Sequence, residues 1–255
     1  MGLEVEIFRY FEDNYGFLVH DSKTGATASI DAADENAIAL ILEKRDWVLS
    51  DIFITHHHWD HTDAIIPLKK KYGAKVTGPE LERDKIKSLD ILISGGDKIK
   101  LGESEFEIIK TAGHTLGHIS YFEPSNKYLF CGDALFSLGC GRMFEGDANI
   151  MWEGLERIKK LPDETLIFCG HEYSAANAKF ALFVEPDNEK LKIRQAEISK
   201  QLANNKFTIP TKLANEKEMN PFLRCDNKKI AEKMGVDKNK SVEVFAALRK
   251  AKDVF

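Results

Sequence analysis

The sequence predicts an α/β domain that gives way, about two-thirds of the way along, to an all-α segment. Three observations predict it. Short apolar runs bounded by turn residues alternate with stretches of helical spacing up to about residue 171. From Ser174 onward no strand-like run follows, and helical stretches are broken by Pro186, Pro210 and Pro221. Three strand-like runs also close on one device, a glycine followed by a metal-ligating residue type: Gly113-His114, Gly132-Asp133 and Gly170-His171.

The first elements, Val5–Tyr10, Gly16–Val19 and Thr27–Ile30, read as a β-meander. Glu35–Lys44 carries Ile38, Ile41 and Leu42 at helical spacing, and Asp51–Thr55 is a short apolar strand. Asp63–Tyr72 reads as a helix, Lys75–Thr77 and Phe106–Thr111 as strands. Ser120–Glu123 and Tyr128–Cys131 form a hairpin around Pro124-Ser125-Asn126. Met151–Lys160 is helical and Thr165–Cys169 a buried strand. Helices are expected at Ala175–Val184, Asn188–Asn204, Asn227–Met234 and Ser241–Lys252. The boundary falls near 172, giving domains 1–172 and 173–255, and the absence of a flexible linker predicts that the helices pack on the first domain.

Composition bounds the function. Over 255 residues, 43% are hydrophobic and 30% charged, enough for a proper core and ordinary for a globular chain. A net charge of −5 argues against binding nucleic acid through bulk positive charge. The four cysteines, Cys131, Cys140, Cys169 and Cys225, show no CxxC and no disulfide framework, so thiols in a reducing compartment are expected. There is no signal-like apolar stretch at the start and no run of the ~20 apolar residues that a membrane helix needs. A soluble cytoplasmic monomer without membrane or nucleic-acid partners is expected.

The chemistry concentrates in Thr55-His56-His57-His58-Trp59-Asp60-His61. On an extended backbone residues i and i+2 share a face, so His56 and His58 can grip one ion. Asp60 and His61 lie where the chain turns into a helix, and their changed direction suits a second ion nearby. Imidazole and carboxylate suit zinc, iron or manganese. Ligand sites of α/β sheets gather at the carboxyl ends of strands, so His114, Asp133 and His171 are expected to join this motif. His57 should face away from the ions, His20 should be structural, His118 could support a ligand, and Asp31 could orient one or be a turn residue. Cys140 sits in a Gly-Cys-Gly turn with no evident base and is not expected to be a nucleophile. Trp59 reads as packing.

These residues resemble the metallo-β-lactamase superfamily, whose hallmark is His-x-His-x-Asp-His followed by a later His, Asp and His. The whole chain more narrowly resembles the glyoxalase II (hydroxyacylglutathione hydrolase) family. The likeness runs through Asp13-Asn14-Tyr15, Gly113-His114-Thr115, Gly132-Asp133-Ala134-Leu135-Phe136, Gly139-Cys140-Gly141-Arg142, Gly170-His171-Glu172-Tyr173, Asn220-Pro221-Phe222-Leu223-Arg224 and Arg249-Lys250-Ala251-Lys252-Asp253. It implies an αββα sandwich with the metals at one edge, followed by a helical glutathione-binding domain. It implies two divalent ions, zinc foremost, with iron or manganese as alternatives. His56, His58 and His114 would hold the first, Asp60, His61 and His171 the second, and Asp133 would bridge them. The resemblance further implies hydrolysis of S-D-lactoylglutathione and other S-2-hydroxyacylglutathiones, the second step of methylglyoxal detoxification, by a hydroxide bridging the ions beside Asp133 and Asp60. Arg249 and Lys252 would take the glycine carboxylate of glutathione, with Arg142 and Tyr173 near the tripeptide. Phe144 stands where relatives carry Tyr, so one phenolic hydrogen bond should be missing.

The same superfamily offers other chemistries. A persulfide dioxygenase would use one iron and fewer ligands, so the full second set Asp60, His61 and His171 argues against it. Lactonases and β-lactamases lack the glutathione-binding ending. A nuclease would need a basic surface, and a dead scaffold would have lost ligands.

Overall fold

The computed structural model describes residues 2–255. Two six-stranded sheets face each other. The first runs in chain order through β1 (Leu3–Tyr10), β2 (Asn14–Asp21), β3 (Thr27–Ile30), β4 (Asp51–Phe53), β5 (Lys75–Pro79) and β6 (Ile91–Ile93). The second has β7 (Lys98–Leu101), β8 (Ser104–Lys110), β9 (Ile119–Glu123), β10 (Tyr128–Gly132), β13 (Leu166–Cys169) and β14 (Thr211–Lys212) in spatial order β14-β13-β10-β9-β8-β7. A small hairpin, β11 (Leu135–Phe136) and β12 (Gly139–Cys140), lies between β10 and β13 in the chain.

Aromatic side chains fill the space between the sheets. Phe53 of β4 stacks on Tyr121 of β9 with centroids 5.4 Å apart, and Phe17 of β2 meets Phe130 of β10 edge-on at 5.7 Å. Helices α1 (Glu35–Arg45) and α3 (Ile65–Tyr72) cover the outer face of the first sheet, burying Ile38, Leu42, Ile65 and Leu68 against Leu18, Ile52 and Val76. Asp34 caps α1 by accepting from the Asn36 and Ala37 N–H groups, two of the donors that a helix start leaves unpaired. Helix α4 (Ala148–Lys159) packs on β8 and on the chain's last helix. The layers are those of an αββα sandwich, as the resemblance implied.

The segment after residue 173 carries α5 (Ser174–Val184), α6 (Glu189–Ala203), α7 (Leu213–Met219), α8 (Lys228–Met234) and α9 (Ser241–Asp253). Several differences from the expectation stand out. Thr211–Lys212 forms a strand that closes the edge of β13, although no strand was expected beyond Ser174. A two-residue strand has no period to display, so only its partner reveals it. Its neighbour α7 was also missed. The helices share much of the first domain's core, since Phe180, Leu213, Phe222, Phe245 and Leu248 belong to the same apolar cluster as Phe130 and Phe168, while α5, α6 and α7 also enclose a smaller cluster of Ala178, Ala181, Leu191, Ile198 and Met219 with Leu138. Strands β6 and β7 were likewise unforeseen, β6 being only three residues long and β7 being interrupted by lysines. The helix expected over 63–72 begins two residues later as α3, and a separate one-turn helix, α2 (Trp59–Thr62), precedes it. No helix among the described residues is long and apolar enough to cross a membrane.

Candidate metal centre

Strand direction gathers the site. β9 is antiparallel to both β8 and β10, and β10 is parallel to β13, so β8, β10 and β13 point the same way. Their carboxyl ends therefore meet at one edge, and each is followed closely by Gly-His or Gly-Asp. The Ile119 N–H donates to the Thr55 carbonyl at 3.0 Å, which stitches the His-rich segment after β4 to the same edge. Two of the glycines are required there. Gly132 has a φ of +45°, and a Cβ on Gly170 would stand 2.4 Å from Asp133 Oδ1.

Two clusters of ligand atoms result. In the first, His58 Nδ1 lies 3.0 Å from His56 Nε2 and 2.9 Å from His114 Nε2. In the second, Asp60 Oδ2 lies 3.3 Å from His171 Nε2 and 3.5 Å from His61 Nε2, and the two ring nitrogens are 3.4 Å apart. Asp133 touches both: Oδ2 is 3.4 Å from His114 Nε2 and 3.3 Å from His171 Nε2, while Oδ1 is 3.5 Å from His61 Nε2. All seven motif residues converge at one place.

The outward side of nearly every ligand is braced. His61 Nδ1 pairs with Asp31 at 2.7 Å, His171 Nδ1 with Asp13 at 2.8 Å, and His114 Nδ1 with the Arg142 carbonyl at 2.9 Å. His56 Nδ1 meets Thr55 Oγ1 at 3.0 Å, and Asn14 donates to Asp60 Oδ2 at 3.0 Å. His118 accepts the Asp133 N–H on Nε2 at 3.1 Å. These partners engage the outward side of the rings and leave the inward nitrogens facing the centre. Support by His118 was one reading of the sequence, and for Asp31 it stood level with a turn role; the structure gives Asp31 the contact to His61 and His118 the contact to the Asp133 N–H. The roles of Asp13, Asn14 and Thr55 were not foreseen, although Asp13-Asn14-Tyr15 had stood out in the sequence.

Electrostatics divide the cluster. Burial and neighbouring rings hold His56 well below its ordinary value and bring His58 down to about 4. Burial lowers His114 as well. All three are shifted toward the neutral, ligating form. Burial also disfavours charge on His61, but Asp31 and Asp133 outweigh it and raise its pKa; for His171, Asp133 and Asp60 do the same. The imidazoles in turn hold the Asp133 and Asp60 carboxyls well below their usual range despite burial.

The donor set fits divalent cations. Asp133 Oδ1 is buried and makes no hydrogen bond, a costly state that a cation relieves. Tetrahedral ligation at about 2.0–2.1 Å sets ligand atoms roughly 3.3 Å apart. The second cluster matches this spacing at 3.3–3.5 Å, and the first, at 2.9–3.0 Å, needs to open by a few tenths of an ångström.

The cluster floors a cleft of about 740 Å³. Arg142, Arg249, Lys252 and Asp253 line one side of it; Phe144 and Tyr173 lie against the ligands. Tyr173 stacks on His171 with centroids 4.9 Å apart, and Phe144 stands edge-on to His114 at 5.2 Å. Arg249 and Lys252 share a face of α9 as their spacing predicted, yet they differ. Arg249 is buried, donates to the Cys140 carbonyl at 2.9 Å and pairs with Asp253 at 3.0 Å. Lys252 is half-buried, with Nζ 3.3 Å from the Ala176 carbonyl. Burial pushes the Cys140 thiol up to about 11, which agrees with its expected inertness. Trp59 corrects an expectation: it is 62% exposed, lines the cleft and pairs with exposed Phe11 at 5.5 Å, so it is no packing residue. Its neighbours Asp60 and His61 turn inward on α2, which leaves the intervening face of that turn to solvent.

An αββα sandwich with this His and Asp cluster at the strand ends defines a metallo-β-lactamase-fold protein. The metallo-beta-lactamase superfamily model matches residues 24–171, and the model of the hydroxyacylglutathione hydrolase C-terminus matches 172–255. Curated hydroxyacylglutathione hydrolases of Bradyrhizobium sp. (strain ORS 278) and Rhizobium meliloti (strain 1021) are 45% and 47% identical to the chain over 253 residues, covering 99% of it and 99% of each relative. Among solved structures, ETHE1 from Myxococcus xanthus superposes with a TM-score of 0.70 at 25% identity, over 98% of this chain and 90% of that one. The chain belongs to the hydroxyacylglutathione hydrolase family of the metallo-β-lactamase superfamily.

Proposed function

We propose that the chain is a metal-dependent thioesterase that hydrolyses S-2-hydroxyacylglutathiones, S-D-lactoylglutathione among them, to the 2-hydroxy acid and glutathione. The observation that carries this reading is Asp133, set between two clusters of ligand atoms at the floor of a cleft walled by Arg142, Arg249 and Lys252. Whole-length relatives named for this hydrolase support the same substrate class.

In this reading His56, His58 and His114 hold one divalent ion, Asp60, His61 and His171 a second, and Asp133 reaches both. Zinc suits the donor set best, and iron or manganese would also be accepted. Divalent ions held there would supply the chemistry of a metal-activated water near neutral pH and of carbonyl polarisation. The chain's own groups do the rest. Asp31, Asp13 and the Arg142 carbonyl hold the imidazoles with their inward nitrogens facing the centre. The cations of the cleft wall attract the carboxylates of glutathione, with exposed Arg142 and half-buried Lys252 more accessible than buried Arg249. Phe144 and Tyr173 flank the space between wall and ligands. The thiolate leaves readily, so no general acid is required. The four buried thiols suit a reducing compartment, and a cytoplasmic monomer acting in the second step of methylglyoxal detoxification fits the reading.

A mono-iron persulfide dioxygenase and a lactonase are not favoured, because the second ligand set is complete and the names of the whole-length relatives point elsewhere. The test is the rate of thioester loss from S-D-lactoylglutathione with and without a chelator. Fast hydrolysis abolished by the chelator is expected. No hydrolysis by metal-replete protein overturns the assignment.

A further inference from the structure

One buried acid takes no part in ligation. Glu82, in the short turn after β5, is 1% exposed. Its Oε1 accepts from the Thr115 hydroxyl and from the Gly117 N–H, the latter at 3.1 Å. Its Oε2 lies 3.0 Å from His57 Nδ1. One carboxylate therefore ties the His-rich segment, through His57, to the loop that carries His114. A Cβ on Gly117 would come within 2.3 Å of the Glu82 side chain, so the loop is built to admit it.

His58 explains why such a tie matters. His56, His61, His114 and His171 each have a partner on the nitrogen turned away from the centre. Among the described residues, His58 has no such hydrogen-bond partner: its Nδ1 faces His56 and His114, and beyond those its ring has only edge-on packing, on Phe144 at 5.6 Å and His57 at 5.0 Å. The position of its ring therefore rests on that packing and on its backbone, whose adjacent residue is His57. We propose that Glu82 is a positioning residue that supplies, through His57, Thr115 and Gly117, the restraint His58 lacks, and so keeps His58 and His114 in register for one ion. This rests on the metal reading above.

The test compares Glu82→Ala and Glu82→Gln with the parent by metal content, competition with a chromophoric chelator, and kinetics. Gln can keep all three contacts, with its oxygen on Thr115 and Gly117 and its amide donating to His57. In Glu82→Ala one of two ions should bind on the order of 10–100-fold more weakly while the other is held as before, and kcat should fall with KM nearly unchanged. Glu82→Gln should recover most of the affinity. Glu82→Ala holding both ions like the parent overturns the proposal, as does equal loss of both ions that Gln fails to restore. A parent that binds no metal overturns the metal reading itself, which separates the two failures.

Discussion

Asp31 accepts the Nδ1 proton of His61 at 2.7 Å, and the same carboxylate takes the Thr55 N–H at 2.7 Å and the Thr55 hydroxyl at 2.9 Å. Thr55 Oγ1 in turn meets His56 Nδ1 at 3.0 Å. One carboxylate thus orients a ligand of each cluster, directly for His61 and through a hydroxyl for His56. Its backbone φ of +57° puts it in the left-handed region, which aspartate tolerates better than most residues.

Removing that brace should loosen metal rather than unfold the chain. Asp31→Ala is expected to weaken divalent-ion binding on the order of 10–100-fold, the usual effect of losing a group that orients a ligand. Competition with a chromophoric chelator measures it. Unchanged affinity would mean that packing alone holds His61.

The two cations of α9 should separate by phenotype. Lys252→Ala should raise KM about tenfold, equivalent to ~1.4 kcal/mol, with metal content and melting temperature little changed. Arg249→Ala should also raise KM but cost roughly 2–4 kcal/mol of stability, because it leaves the buried Cys140 carbonyl and Asp253 without their partner. Steady-state kinetics beside thermal melts decide this; identical melts would refute the structural half of the Arg249 assignment.

Phe144 stands edge-on to His58 and His114 at 5.6 and 5.2 Å and is exposed to the cleft. Phe144→Tyr should add one hydrogen bond to bound glutathione thioester, lowering KM about fivefold for a net ~1 kcal/mol. Metal content should not move. A KM that stays put would show that the ring edge does not meet the substrate.

Glu216 gives a pH signature away from the metals. Its carboxylate is buried between the Leu138 N–H at 2.8 Å, Asn220 at 3.0 Å and the Thr211 hydroxyl at 2.9 Å, and burial raises its pKa above the ordinary 4.5. The folded chain therefore binds this proton more tightly than the unfolded chain. The resulting stability is full below pH 4.5 and is lost as pH rises through the raised folded value. Glu216→Gln removes the dependence, so its melting temperature relative to the parent should climb across that window. A difference constant with pH would sink the idea.

The convergence of the candidate ligands was legible in the sequence because His and carboxylate are residue types that metals favour, and because the residue pattern follows the backbone. Alternation on an extended segment pairs His56 with His58 and turns His57 away, and Gly-His or Gly-Asp after a strand marks a chain end that must pass close to its neighbours. The main strands and long helices were legible for the same reason: their periodicity is local. What the tertiary structure alone decided depends on contacts between residues far apart in the chain. The braces Asp13 to His171 and Glu82 to Thr115 span 158 and 33 positions and have no local pattern. Thr211–Lys212 is a strand only because β13 offers it an edge. Trp59 is exposed because its neighbours turn inward on a helix one turn long, and Arg249 is buried because the Cys140 turn closes over it. Spacing along a chain can put side chains on a common face; which of them then meet solvent, substrate or a distant carboxylate is set by how the sheets and helices pack.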